Sequence, residues 1–73
     1  MISEAIDRTD RLLEFYRDQY TEIHFQICYN IMGLYINLLI KYKEDTWYGS
    51  MPLDDRTPER VNLVIMDFLA RIK

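Results

Sequence analysis

One run of residues does most to limit what this chain can become. EIHFQICYNIMGLYINLLIKYK, residues 22–43, contains no proline and a single glycine, Gly33. Two readings compete for it. Ile23, Phe25, Ile27, Tyr29 and Ile31 alternate along the chain as the residues of a strand do, and the β-branched and aromatic content suits a sheet. Length argues the other way, because an uninterrupted run of about 20 residues is helix-sized rather than strand-sized. The sequence is therefore read as a helix over 22–43. Such a helix is apolar nearly all round, with one narrow polar strip of Gln26, Asn30, Gly33 and Asn37. That pattern belongs to a central helix packed on two sides. Lys41 and Lys43 sit near its end, where the helix dipole favours cations.

The flanks supply two further helices. Over residues 3–18, at about 100° per residue, Ile2, Ala5, Ile6, Leu12, Leu13, Tyr16 and Tyr20 share one face. Ser3 can cap the start, and Glu4 and Asp7 lie in the first turn, where acids are favoured. Over residues 57–72 the signals are clearest. Thr57 is a good cap, Pro58 suits the first helical position, and Glu59 follows in the first turn. Val61, Val64, Ile65, Phe68, Leu69 and Ile72 make the buried stripe, which Leu63 and Met66 widen. A turn near Gln19–Thr21 closes the first helix against the second. Without it, residues 3–43 form a single rod of about 40 residues and about 60 Å, stable only as a dimer. The expected fold is all-α: a three-helix bundle of one domain, with a loop over 44–57 and dimerisation as the alternative to a monomer.

Seventy-three residues allow one small core, which a partner or a second copy often completes. A net charge of −3 argues against non-specific nucleic-acid binding, which rests on cations neutralising phosphates. It suits a partner with a basic surface, towards which complementary fields steer. The polar residues His24, Gln26, Asn30 and Asn37 make a membrane span over 23–40 costly. MISEAIDRTD has no basic region followed by an apolar run, so no secretory leader is expected. Cys28 is the only cysteine, which excludes an internal disulfide and four-cysteine zinc patterns, and cytoplasmic residence is the simplest expectation.

Chemistry is hard to find. His24 and Cys28 stand one helical turn apart, but an activated thiol also needs a lowered pKa and an oxyanion hole. No spacing suits a metal, and two glycines cannot build a phosphate loop. The expectation is a non-enzyme with no catalytic residues, no metal and no cofactor.

The segment EDTWYGSMPLDDRTP, residues 44–58, concentrates the chain's only tryptophan, both prolines and four acids. Aromatic rings are enriched among binding hot spots, and acids around them would attract a basic partner. Trp47, Tyr48 and Met51, with Glu44, Asp45, Asp54 and Asp55, are therefore the candidate contact, with Trp47 divided between core and interface roles. The acidic stripe Asp10–Glu14–Asp18 is a second candidate.

Residues 44–71 also resemble the second half of the colicin-type nuclease immunity proteins, small acidic four-helix proteins that bind and block a cognate DNase. The resemblance implies that Trp47 and Tyr48 stand for the family's aromatic pair on a very short helix. Asp54 and Asp55 stand for its acidic turn, and Thr57–Pro58 for the start of its last helix. Gly49 replaces the family's proline after the aromatic pair, Arg60 its glycine and Phe68 its tryptophan, and the first 40 residues do not match. The functional expectation is a small helical inhibitor or immunity-type factor that docks on a partner protein. The alternative is a self-assembling structural or regulatory protein with residues 22–43 as its seam.

Overall fold

The computed structural model describes residues 2–72 and overturns the all-α expectation. In chain order the elements are α1 (Ile2–Tyr16), β1 (Thr21–Asn30), β2 (Gly33–Tyr42), β3 (Asp45–Pro52) and α2 (Thr57–Ile72). The strands form one antiparallel sheet in the order β1-β2-β3. The fold is α+β rather than a helical bundle. Neither the single rod over 3–43 nor the loop over 44–57 exists as expected, and the helical architecture implied by the resemblance is not the one adopted.

The run 22–43 is two strands, not one helix. Asn30 pairs with Gly33, so the turn needs only Ile31 and Met32. The Asn30 side-chain oxygen accepts a hydrogen bond from the Met32 N–H at 2.8 Å, and Gly33 takes φ 115°, a region other residues avoid. A two-residue turn reverses the parity of the pattern. Odd positions of β1 (Ile23, Phe25, Ile27, Tyr29) lie opposite even positions of β2 (Ile40, Leu38, Ile36, Leu34). Both sets face the helices. Laid on one helical wheel, an odd set followed by an even set looks apolar all round. The polar strip has the same origin, because Gln26 pairs with Asn37 and Asn30 with Gly33 across the hairpin.

A second two-residue turn, at Lys43 and Glu44, leads into β3, and Lys43 adopts φ 55° there. The helix-facing side of β3 is then Trp47, Gly49 and Met51, opposite Ile40, Leu38 and Ile36.

Both helices form as the sequence signals them, α2 over the expected residues and α1 ending at Tyr16. The core joins Leu13 of α1, Ile23, Leu38 and Ile40 of the sheet, and Val61, Ile65 and Phe68 of α2. Each such side chain contributes about 1.5–3 kcal/mol on burial. Leu63 and Met66, expected to widen the α2 stripe, are exposed instead, as are Ile2 and Tyr20. Two polar contacts fasten α1 to α2. The Tyr16 hydroxyl donates to Asn62 Oδ1 at 2.6 Å, and Arg8 pairs with Glu59 at 2.6 Å.

The hairpin sets the long dimension. Ten residues at about 3.3 Å each make about 33 Å, against a longest extent of 35 Å. Its far end outruns the helical layer. Tyr29 is 79% exposed although it lies on the helix-facing side, and Ile31 at the tip is fully exposed.

Candidate functional site

With both helices on one side, the other side of the sheet is open. Strand alternation and the register place Glu22, His24, Gln26, Cys28 and Asn30 there from β1. Tyr35, Asn37, Leu39 and Lys41 come from β2, and Thr46, Tyr48, Ser50 and Pro52 from β3. The face is nearly uncharged. Its ionised residues, Glu22 and Lys41, stand opposite each other at one end.

The centre of this face is a cross-strand row, His24–Leu39–Tyr48, beside a second row, Gln26–Asn37–Ser50. Tyr48 is 68% exposed. With His24, Gln26, Asn37 and Leu39 it surrounds a shallow depression. Leu39 offers apolar surface there, and imidazole, amide and phenol groups offer hydrogen bonds around it. The Asn37 amide also donates to Cys28 Sγ at 3.2 Å, which holds the half-buried thiol in the face. Among the described residues no cluster of three or more His, Cys, Asp or Glu groups could hold a metal ion. His24 stands 4.0 Å from Glu22, and Cys28, four residues on along an extended strand, lies about 13 Å away.

The structure divides the sequence-predicted contact residues. Trp47 and Tyr48 are adjacent in a strand and so point to opposite faces. Tyr48 lies on the open face. Trp47 turns towards the helices, half-buried against the core, with Met51 on the same side. Glu44 and Asp45 lie at the start of β3, while Asp54 and Asp55 follow its end, so the four acids flank the strand instead of forming one cluster. Asp54 is also used locally. Its carboxylate accepts the Arg56 N–H at 2.8 Å and pairs with Arg60 at 3.3 Å.

The second candidate, Asp10–Glu14–Asp18, is not one stripe. Asp10 and Glu14 are exposed on α1, and Glu14 pairs with Arg17 at 2.8 Å. Asp18 lies beyond the helix, where its carboxylate accepts the N–H groups of Tyr20 and Thr21 at 2.7 and 2.9 Å and starts β1.

His24, Gln26, Asn37 and Leu39 were not singled out from the sequence as contacts. The signal was the alternation in residues 23–31, whose polar members are the β1 half of this face.

No family model, curated protein or solved structure shows a significant match to the chain. Among the described residues no helix is long and apolar enough to cross a membrane.

Proposed function

We propose that this chain is a protein-binding module of the inhibitor or immunity type, with the open sheet face around Tyr48 as its contact surface. One observation carries the reading. In a chain whose residues are 29% charged, a whole face of the sheet is left to uncharged polar, aromatic and aliphatic side chains, save one Glu–Lys pair at its end. Interface centres have that composition: they are depleted of charge and enriched in aromatic rings, with polar groups at the rim. Glu44 and Asp45 at one end of β3 and Asp54 and Asp55 at the other supply an acidic rim. Such a rim favours a basic partner and speeds encounter. A cytoplasmic setting, with Cys28 kept as a thiol, fits this reading.

The test has two stages. The wild-type chain is used as bait in extract of its native host, and the captured protein is then titrated against purified variants. Tyr48→Ala is expected to weaken binding about tenfold or more, as loss of a hot-spot ring does, with the circular dichroism spectrum unchanged. Leu63→Ala, on the exposed side of α2, leaves affinity as it was. Equal affinity for wild type and Tyr48→Ala would remove the open face from consideration.

A further inference from the structure

The sheet has two edges, and β1 is the one the chain does not protect. Natural edge strands are kept from pairing by brevity, proline, lysine or a bulge. β3 is the shorter edge, eight residues ending in Pro52. β1 is ten residues long without proline, glycine, lysine or arginine, and its pairing to β2 runs without interruption.

The register shows which backbone groups of β1 are open. In an antiparallel pair, alternate residues direct both backbone groups towards the partner strand and the others away from it. The Leu34 carbonyl accepts from the Leu53 N–H on the β3 side, and Leu34 lies opposite Tyr29. Tyr29, Ile27, Phe25, Ile23 and Thr21 therefore direct their backbone groups to the open edge. The last two, Ile23 and Thr21, are engaged. Thr21 N–H is bound by Asp18, and the Arg17 guanidinium donates to the Ile23 carbonyl at 3.0 and 3.3 Å. Among the described residues nothing is seen to bond the outward groups of Phe25, Ile27 and Tyr29. Of these five outward-directed residues, two are engaged and three are bare.

We infer that the bare segment of β1 pairs antiparallel with the same strand of a second copy, about a two-fold axis through Ile27, to give a six-stranded sheet. This register matches outward-pointing residues with outward-pointing residues. Phe25 stands opposite Tyr29 of the second copy, Ile27 opposite Ile27, and Tyr29 opposite Phe25, so every bare edge group meets a complement. On the helix side, apolar residues that the helices leave partly or wholly uncovered meet each other. On the open face Gln26 meets Cys28 and His24 meets Asn30.

A second copy fits this segment because residues 23–30 carry no Asp, Glu, Lys or Arg. Like charges opposite one another disfavour strand pairing, and a chain with a net charge of −3 can pair with itself where such charges are absent. Glu22 is the one ionised residue of β1, and this register leaves it outside the paired segment. The same axis carries the exposed tip, Ile31 and Met32, towards Ile23 and Arg17 of the second copy. There the adjoining end of α1 holds Phe15, 81% exposed. The pairing stands independently of the partner-binding reading, because it uses the edge of the sheet and leaves the Tyr48 face open.

Sedimentation equilibrium over a range of concentrations tests association. The wild type is expected to approach twice the 8.9 kDa chain mass. Ile27→Lys places two cations opposite each other at the axis and should weaken dimerisation more than about tenfold. Ile27 lies outside the main core cluster, so the circular dichroism spectrum is expected to be retained. Register is tested separately by mild oxidation. Non-hydrogen-bonded antiparallel pairs lie about 4.5 Å apart at Cα, within disulfide reach. Gln26→Cys should therefore bond to the native Cys28 of the second copy and run as a dimer on a non-reducing gel. His24→Cys, one row away, should not. A wild type that stays monomeric at every concentration, with or without a foreign strand captured by β1, overturns the inference. So does equal cross-linking of His24→Cys and Gln26→Cys.

Discussion

Gly49 leaves the space that the Trp47 indole occupies. A methyl group at Gly49 would stand 2.7 Å from Trp47 Cη2 and 2.9 Å from Cζ2, closer than real carbon contacts come. The two residues are neighbours on the helix-facing side of β3, and the indole lies across the gap to reach the core. The missing side chain at 49 is thus part of how a tryptophan fits near the edge of so small a core.

Gly49→Ala should therefore push the indole aside, at a cost of about 1–3 kcal/mol, the usual range for overpacking. Trp47 is the only tryptophan, so the displacement reads directly as a red shift in fluorescence, together with a lower Tm. Ser50→Ala, on the opposite face of the same strand, serves as the control and should stay within about 0.5 kcal/mol of wild type. An unshifted spectrum and an unchanged Tm for Gly49→Ala would mean that the indole is not held where it is described.

The two helices were legible in the sequence, because capping residues and a 3.6-residue period coincide in them. Thr57, Pro58 and Glu59 marked the start of α2 at the residue where it begins. The sheet was not legible, for a specific reason. Its decisive turn, Asn30-Ile31-Met32-Gly33, presents two large apolar residues at the tip in place of the usual turn formers, so the run looked unbroken. The alternation of Ile23 to Ile31 was present, as was its change of parity after Gly33, and together they described a hairpin. Tyr48 was visible as a candidate contact. Its neighbours His24, Leu39 and Asn37 were not, because only strand pairing brings them to it. The acids grouped around the aromatic pair separate for a related reason: eight extended residues set Asp45 and Asp54 at opposite ends of β3.

Acid should loosen the junction of the two helices. The Glu59 carboxyl is held below its ordinary pKa, chiefly by the hydrogen bond from its own backbone N–H at the start of α2 and then by that from the Arg8 guanidinium. A carboxyl whose folded-state pKa is depressed adds stability above its unfolded pKa, about 4.3 for glutamate, and loses it as the pH falls through the lower folded value. Glu59→Gln should accordingly have a lower Tm than wild type at pH 7, and the difference should shrink on approaching pH 3. Both partners of the ion pair are exposed, so added salt should also narrow the gap at pH 7. A Tm difference that is the same at pH 7 and pH 3 would show that the carboxylate charge contributes nothing to the junction.

The β3–α2 turn depends on one hydroxyl. Thr57 is fully buried. Its Oγ1 accepts the Asp54 N–H at 2.7 Å and donates to the Pro52 carbonyl at 3.0 Å, closing the chain between the last strand and the last helix. Thr57→Val keeps the shape of the side chain and leaves both backbone groups without their partner. The expected loss is about 1–3 kcal/mol, the range for an unsatisfied buried polar group. Thr57→Ser keeps the hydroxyl and should recover most of it, losing little more than the buried methyl, about 0.8 kcal/mol. Urea unfolding of the three proteins separates the two effects. The hydroxyl's role requires Thr57→Ser to lie nearer wild type than Thr57→Val, and the reverse order would assign the stability of this turn to the methyl group instead.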